Sequence, residues 1–211
     1  MTQIEIKNLS KTIQGNAVLQ NISLVLHSGK IYGLQGINGS GKTMLMRALI
    51  GLIRPTEGAI SINGQVLGKD IEFPESIGFL LESPTFLDRY TGFDNLKMLA
   101  SIQRKIAEPK IRETIAAVGL NPADKRKYRK YSLGMKQRLG IAAAIMEDAD
   151  IIILDEPTNA LDTFGIDLVK NILLRQKERG ALIMIACHDL SILQNLSNEV
   201  IKMESGRIVE L

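Results

Sequence analysis

The hydrophobic pattern along the chain predicts two kinds of strand. Residues 2–9, 21–26 and 59–64 alternate apolar and polar positions with a period of two, which predicts strands with one buried and one exposed face. Residues 151–154 and 181–186 are continuously apolar instead, as is typical of central parallel strands that helices cover on both faces. The pattern therefore predicts an antiparallel sheet with one wet face and a separate, buried parallel sheet.

Helical periodicity fills much of the remaining chain. Residues 163–179 repeat apolar positions at the helical period and end at Gly180, and residues 93–147 show helical signals without a strand. Strands that alternate with helices favour a parallel α/β layer. We predict one α/β domain over residues 1–211, with a mainly parallel central sheet, an antiparallel β subdomain and a helical lobe inserted at about residues 93–147.

A glycine-rich segment lies between a short apolar run at residues 30–35 and a run of helix formers at residues 44–51. It reads Gly36-Ile37-Asn38-Gly39-Ser40-Gly41-Lys42-Thr43, a complete G-x-x-x-x-G-K-T pattern. Its glycines let successive N–H groups point into one concavity at a helix N-terminus, where phosphate oxygens bind. Lys42 can reach the β- and γ-phosphates and Thr43 can ligate Mg²⁺. A glycine-rich turn before an ordinary helix is disfavoured by the complete motif, so we predict a P-loop NTPase core whose nucleotide-binding residues include this segment and Met44.

Two adjacent carboxylates, Asp155 and Glu156, follow the buried strand at residues 151–154. Ligands of open α/β sheets bind at this carboxyl edge. We expect Asp155 to hold Mg²⁺ through a water and Glu156 to polarise the attacking water. The alternative is a strand followed by a solvated acidic turn, which the upstream phosphate loop disfavours.

A second anion-binding helix start is predicted at Ser132. The Ser132 hydroxyl can cap the helix, and Gly134 leaves the backbone open to an approaching group. A helix N-terminus with bare N–H groups attracts an anion. Taken alone, the pattern is equally consistent with a plain helix cap.

Composition bounds the compartment and the partners. The chain has 211 residues, 45% apolar and 23% charged, as in ordinary globular proteins, and its formal charge of +3 is too small to argue for nucleic acid. Cys187 is the single cysteine, which excludes an internal disulfide and fits a reducing compartment. Since no apolar run approaches the roughly 20 residues of a membrane span and the N-terminus does not resemble a signal peptide, we expect a cytoplasmic protein.

These motifs together resemble the nucleotide-binding domain of an ATP-binding cassette (ABC) transporter, from about Ile4 to the C-terminus. The segment similar to the family signature is Ser132-Leu133-Gly134-Met135-Lys136-Gln137. It departs from the usual form by having Leu133 in place of a second glycine. Residues 159–162 resemble the loop that lines the dimer seam, and His188 resembles the switch histidine that contacts the γ-phosphate.

The resemblance implies an ATPase that works as a dimer with a separate transmembrane permease. Two cassettes would pair head to tail, as a homodimer or a heterodimer, so that Ser132 and Gly134 serve the ATP on the partner's phosphate loop. Lys42, Glu156 and His188 would be the catalytic residues, with ATP and Mg²⁺ bound. The protein would then lie on the inner face of the cell membrane, attached through its permease.

Glu82 and Ile13 depart from the common family pattern. Glu82 stands where the family has a magnesium-sensing glutamine, and a carboxylate there keeps an oxygen for Mg²⁺ but adds a negative charge near the γ-phosphate. With the signature segment, this resembles the bacitracin and lantibiotic exporters, which implies transport of peptide or antibiotic-like compounds. Ile13 stands where many relatives stack an aromatic ring on adenine, so we expect modest base selectivity.

Further surfaces and alternative functions follow from weaker signals. Phe86, Leu87 and Tyr90 resemble the family's permease contact, although they could equally pack inside the helical lobe. The basic run at residues 125–130 is either a solvated face or attracts anionic headgroups or nucleic acid. A soluble ABC ATPase acting on ribosomes or DNA is disfavoured by the single cassette and the lack of heptads. A weakly catalytic ATP sensor stays open because of Glu82 and Leu133.

Overall fold

The computed structural model describes residues 1–187 and 189–210 and places strands and helices in the alternating order expected of an α/β protein. His188 lies outside the described residues. In chain order the elements are β1 Gln3–Ile13, β2 Asn16–His27, β3 Ile31–Gln35, α1 Lys42–Leu49, β4 Glu57–Ile62, β5 Gln65–Val66, β6 Ile77–Leu80, α2 Gly92–Gln103, α3 Glu108–Ala117, a 3₁₀ turn Tyr128–Lys130, α4 Leu133–Ile145, β7 Ile151–Asp155, α5 Thr163–Glu178, β8 Leu182–Ala186, α6 Leu190–Leu196, β9 Glu199–Glu204 and β10 Arg207–Glu210.

The strands form two sheets, as the hydrophobic pattern predicts. The smaller sheet has the order β2-β1-β4-β5 and is antiparallel. The larger has the order β10-β9-β3-β8-β7-β6, in which all neighbours are parallel except β10 and β9. The predicted fold class, a mainly parallel core with an antiparallel β subdomain and a helical lobe, is confirmed.

The antiparallel sheet is built on a long hairpin. The alternating strands predicted at residues 2–9 and 21–26 extend toward each other as β1 and β2, and only Gln14 and Gly15 remain between them. Both residues have positive φ, 48° and 82°, which is the geometry that two-residue hairpin turns require. One face of the hairpin is buried, and the residues on it include Ile4, Ile6, Leu9, Leu19, Ile22, Leu24 and Leu26.

The continuously apolar strands β7 and β8 are buried along their whole length because each face packs against a different layer. Ile152 and Ile183 join the cluster made by α4, α5 and α6. Ile153 and Met184 point the other way, into the cluster shared with α1 and the antiparallel sheet. Strands with two buried faces require apolar residues at successive positions, which explains the uninterrupted runs.

The helices α2, α3 and α4 form the lobe that separates β6 from β7 in the sequence. A capping box between Thr91 and Asp94 begins α2, and the Ser132 hydroxyl accepts a hydrogen bond from the Met135 N–H, 3.2 Å, to begin α4. The Tyr128 hydroxyl ties the lobe to the sheet by donating to the Pro84 carbonyl, 2.6 Å. Within the described residues, every helix is too short or too polar to cross a bilayer.

Candidate nucleotide-binding site

The glycine-rich loop at residues 36–43 connects β3 to α1, and its shape requires glycine. Gly39 and Gly41 have φ of 81° and 105°, a region that L side chains rarely adopt. A Cβ at Gly41 would also lie 3.1 Å from the Val18 carbonyl oxygen and 3.2 Å from the Gly206 Cα. The loop therefore presents backbone N–H groups at the start of α1, where an anion is favoured by the helix dipole.

Lys42 and Thr43 are the first residues of α1, and their side chains bind different partners. The Lys42 ammonium donates to the carbonyls of Gly36, 2.6 Å, and Ile37, 3.2 Å, so it lies across the loop. The Thr43 hydroxyl donates to the Asp155 carboxylate, 2.6 Å. This bond joins the start of α1 to the end of β7, and it places a hydroxyl and a carboxylate from distant segments side by side.

The two carboxylates after β7 have different surroundings. Asp155 is the last residue of β7 and only 6% exposed. Glu156 follows with φ 49°, a left-handed conformation that costs a residue other than glycine about 1 kcal/mol or more. Its backbone N–H donates to the Ala186 carbonyl, 2.9 Å, and its carbonyl accepts from the Gln137 amide, 2.9 Å. Bonds on both sides thus fix the turn that aims Glu156 into the cleft.

Glu82 lies beside this turn because β6 is the parallel neighbour of β7. Leu80 of β6 pairs with Leu154 of β7. Glu82 and Glu156 each lie two residues after this pair, so they follow neighbouring strands at the same edge of the sheet. Glu82 also has a left-handed backbone, φ 58°. Its carboxylate forms an ion pair with the Arg47 guanidinium of α1.

A cleft of about 850 Å³ brings most of the predicted site residues together. The predicted residues that line it are Asn38, Gly39, Ser40, Gly41, Lys42, Thr43, Met44, Glu82, Asp155 and Glu156. Gly36 and Ile37 form the base of the loop without lining the cleft. Ser132 and Gly134 do not line it either, although Leu133 between them does. The predicted histidine at position 188 lies outside the described residues.

The oxygen groups in the cleft fit a magnesium ion. Thr43 supplies a hydroxyl and Asp155 and Glu82 supply carboxylates, which are the hard oxygen ligands that Mg²⁺ prefers. Across residues 1–187 and 189–210, His, Cys, Asp and Glu form no group of three or more that could hold a metal ion. Mg²⁺ usually binds through one or two carboxylates together with substrate phosphates, so this donor set suits an ion that arrives with a nucleotide.

One wall of the cleft was missed by sequence reasoning. It consists of Ala17, Val18 and Gln20 from β2 and of the Ser205–Gly206 turn between β9 and β10. The Gln20 amide donates to the Ser205 carbonyl, 2.9 Å, and the Gly206 N–H donates to the Ser40 carbonyl, 2.9 Å. The β9–β10 hairpin is therefore hydrogen-bonded both to β2 of the small sheet and to the phosphate loop. Its sequence signal was only a Ser-Gly turn between two strands that the pattern did not predict.

Ile13, the residue expected at the base, does not line the cleft. It is the last residue of β1 and 39% exposed. Thr12 pairs with Ala17, and Ala17 does line the cleft. Ile13 itself pairs with Asn16, so it lies one residue beyond the preceding pair, next to the edge of the cleft.

The start of α4 lies at the surface. Leu133 is 65% exposed, and a Cβ at Gly134 would lie 2.8 Å from the Ala160 carbonyl oxygen. The glycine allows α4 to approach the segment after Glu156 closely. The capping bond of Ser132 stabilises this end, and the positive end of the helix dipole lies at the surface there.

Cys187 lies directly after β8, close to the cleft but inside the fold. It is 6% exposed, and its sulfur is 3.3 Å from the Thr158 hydroxyl. Burial raises the pKa of the Cys187 thiol. The thiol is therefore neutral at physiological pH and packs as a small apolar group.

Comparisons with known proteins agree with this geometry. The family profile described as ABC transporter matches residues 19–159. The chain is 49% identical over 205 residues to the uncharacterized ABC transporter ATP-binding protein YybJ of Bacillus subtilis (strain 168), covering 97% of this chain and 94% of YybJ. It is 38% identical to the bacitracin transport ATP-binding protein BcrA of Enterococcus faecalis, covering 98% of this chain and 68% of BcrA. It is 35% identical to the lantibiotic transport ATP-binding protein SrtF of Streptococcus pyogenes, covering 98% of this chain and 89% of SrtF.

Solved structures share the fold. The structure of an ATP-binding subunit of an ABC transporter superposes with a TM-score of 0.88 at 28% identity, over 98% of this chain and 88% of the other. A dimeric structure of the ATP-binding cassette MJ0796, in a post-hydrolysis state bound to ADP and Pi, superposes with a TM-score of 0.86 at 22% identity, over 98% of this chain and 97% of the other.

Proposed function

We infer that this chain, which belongs to the ABC transporter family and is an ABC ATPase, powers a separate transmembrane permease that exports peptide or antibiotic-like compounds. One observation carries the inference. The Thr43–Asp155 hydrogen bond, 2.6 Å, places the phosphate loop and the Asp155–Glu156 pair in the same cleft. That arrangement suits phosphoryl transfer to water, since it combines phosphate binding with a base.

Each side chain has a defined task in the proposed reaction. The loop N–H groups and Lys42 bind the β- and γ-phosphates, which requires the Lys42 ammonium to leave the Gly36 carbonyl and turn into the cleft. Glu156, fixed by its backbone bonds, orients and polarises the attacking water. Thr43, Asp155 and Glu82 would hold Mg²⁺, which neutralises charge on the phosphates when it is bound with ATP. His188 is proposed as the contact to the γ-phosphate from its motif alone.

The proposed active unit is a dimer in which each chain completes the other's site. Ser132 and Gly134 lie outside the cleft of their own chain, at an exposed helix start that suits a phosphate. The similar cassette MJ0796 is dimeric. We propose that α4 of one chain closes on the ATP of its partner, in a homodimer or a heterodimer. In this unit residues 1–211 act as one domain, with residues 93–147 as the helical lobe that carries α4.

The permease is proposed to dock on an apolar groove between β6 and the helical lobe. The groove has a volume of about 390 Å³, and its lining includes Phe79, Phe86 and Ile102. Phe79 is 46% exposed and Ile102 is 77% exposed, which is costly for a large apolar side chain unless a partner covers it. Phe86 instead packs edge-on against Tyr128, with ring centroids 5.3 Å apart. Of the three predicted contact residues, Leu87 and Tyr90 are the exposed ones.

The substrate class rests on relatives. BcrA is named for bacitracin transport and SrtF for lantibiotic transport. We propose a related compound for this chain, carried by the permease, with the ATPase held at the inner face of the cell membrane. A soluble ABC ATPase acting on ribosomes or DNA is the second candidate, but it leaves the apolar groove unexplained.

A pull-down from the native cells tests the proposal. Tagged Glu156→Gln protein would be mixed with membranes solubilised in mild detergent, with ATP and Mg²⁺ present, and the bound chains identified by mass spectrometry. A polytopic membrane protein in near-stoichiometric yield is expected, and Ile102→Asp in the groove should lower that yield. Lys177→Asp, in the last turn of α5 where Lys177 is partly exposed, is the control and should leave that yield unchanged. Ribosomal or DNA-processing proteins without a membrane chain would contradict the proposal.

A further inference from the structure

The helix α1 contacts the ends of two neighbouring strands from a single face. Thr43 and Arg47 are four residues apart and therefore lie one turn above each other on that face. Thr43 binds Asp155 at the end of β7, and Arg47 binds Glu82 just beyond β6. Both contacts point to the phosphate end of the cleft.

Glu82 adds a further negative charge at that end. It lines the cleft with Lys42 and Thr43, and it lies two residues beyond the end of β6 with a left-handed backbone, φ 58°. A carboxylate near a polyphosphate repels it unless a cation offsets the charge. The Arg47 guanidinium is the cation in contact with it, and it can bind a carboxylate through more than one N–H.

We propose that Arg47 is a positioning residue for Glu82, holding its carboxylate at the rim of the cleft and offsetting its charge so that a nucleotide can bind. The proposal rests on the proposed function, because it assumes that ATP occupies this cleft. It predicts that the two residues are coupled. Arg47 matters for nucleotide binding when residue 82 is a glutamate and matters little when residue 82 is a neutral glutamine.

A purely structural ion pair makes a different prediction. Arg47 is 37% and Glu82 is 62% exposed at the side chain, and such a surface pair stabilises a fold only slightly. If the pair only fastened α1 to β6, removing Arg47 would lower thermal stability, and replacing Glu82 would not restore nucleotide binding. The effect on binding and its dependence on Glu82 separate the two cases.

Equilibrium ATP binding, measured without hydrolysis, tests the coupling. In the Glu156→Gln protein, ATP affinity would be determined by calorimetry in EDTA and in Mg²⁺, at fixed ionic strength, for Arg47→Ala, Glu82→Gln and the double variant. Arg47→Ala is expected to weaken binding in EDTA by about three- to fivefold, the upper range for an exposed charge pair. The double variant should bind like Glu82→Gln alone, and Arg47→Lys, which keeps the charge, should retain most of the affinity.

The control is a second exposed ion pair far from the cleft. Arg54→Ala removes the contact to Glu72, 3.0 Å, whose partners are 71% and 69% exposed and do not line the cleft, and it should leave ATP binding unchanged. An equal loss on Arg47→Ala with glutamate or glutamine at position 82 would overturn the proposal. An unchanged affinity for Arg47→Ala, with normal binding by the parent, would overturn it as well. If the parent itself did not bind ATP, the proposed function would fail, and this proposal with it.

Discussion

The phosphate loop and the start of α4 are both helix N-termini suited to an anion, but the fold surrounds them differently. At the phosphate loop, Ser40 is 2% exposed, Lys42 is 7% exposed and Asp155 is 6% exposed. Charged and polar groups are rarely buried to this degree unless they are paired or functional. At α4, Leu133 is 65% exposed, although neither α1 nor α4 has an acid in its first turn.

This difference indicates that the anion site at the phosphate loop is built within one chain, whereas the start of α4 faces the surface and is open to a partner. The cleft at the phosphate loop brings together a lysine, a hydroxyl and three carboxylates from three segments of the same chain. The start of α4 offers Ser132 and a glycine with open N–H groups, and Glu156, the proposed base, lies with the loop instead. In the proposed dimer, the phosphate loop and its cleft are a self-contained half-site, and the start of α4 is a half-site donated to the partner chain. Substitutions in the two half-sites should therefore have different effects, of which the loss of Glu156 is the largest.

Glu156→Gln should stop turnover and spare binding. The substitution removes the proposed base but keeps the size of the side chain and the backbone bonds that fix the turn. Phosphate release is expected to fall at least about 100-fold, the usual contribution of a general base, and ATP affinity should change less than about twofold. Glu178→Gln, at the exposed end of α5, is the matched control and should keep full activity. Near wild-type hydrolysis by Glu156→Gln would disprove the base role.

Ser132→Asp should damage the donated half-site alone. An aspartate can still cap the helix, but its carboxylate at this helix start would repel a phosphate, so turnover is expected to fall about 10- to 100-fold. ATP binding by the isolated chain should persist, because Ser132 does not line its own cleft. Parallel measurements of phosphate release and nucleotide affinity give the answer, and loss of both together would place α4 in the chain's own site.

Mixing the two variants tests whether each chain completes the other's site. A mixed dimer would combine the Ser132→Asp chain, whose loop and Glu156 are intact, with the Glu156→Gln chain, whose α4 is intact. Equal amounts should recover about a quarter of wild-type turnover, since half of the dimers are mixed and each holds one sound site. A mixture no more active than its components would contradict the exchange of half-sites.

Turnover should also depend on the concentration of the chain. If each site needs α4 from a partner, specific activity should rise with protein concentration until the dimer is fully formed. The measurement is phosphate release over a dilution series, with oligomeric state followed by light scattering. Constant specific activity in demonstrably monomeric protein would show that one chain holds a complete site.

The parts of the cleft differ in how far the sequence could predict them. The phosphate loop and the Asp155–Glu156 pair are contiguous motifs, each after an apolar strand, so local patterns locate them. The Arg47–Glu82 pair and the contact between Gln20 and Ser205 join segments far apart in the chain. Such contacts depend on the strand order β10-β9-β3-β8-β7-β6, which the hydrophobic pattern does not specify.

The missed strands have a related cause. β6 has only four residues and lies at the edge of its sheet, with Phe79 exposed, so neither a clean alternation nor a long apolar run marks it. β9 and β10 mix charged and apolar residues because they lie toward the opposite edge of the sheet, where β9 pairs with β3 and β10 is the edge strand. Tertiary packing, more than local preference, sets these strands.

Glu82→Gln should change the metal dependence of the self-contained half-site. The substitution keeps one oxygen ligand and removes a charge, so the Mg²⁺ concentration for half-maximal turnover is expected to shift by about threefold or more. ATP affinity in saturating Mg²⁺ should change less. Identical metal titrations for both proteins would remove Glu82 from the proposed metal site.

The smallest effect is expected at the base end of the cleft, where the chain lacks the aromatic ring of many relatives. Ala17 and Val18 and the Ser205–Gly206 turn form an apolar and backbone wall there, and we expect this wall to contact a base without reading its hydrogen-bonding edge. GTP should therefore compete appreciably with ATP. Ile13→Tyr, beside the cleft edge, should strengthen ATP binding by about two- to fivefold through stacking. Competition binding with both nucleotides measures this, and a strong preference for ATP in the unaltered chain would mean that another side chain recognises the base.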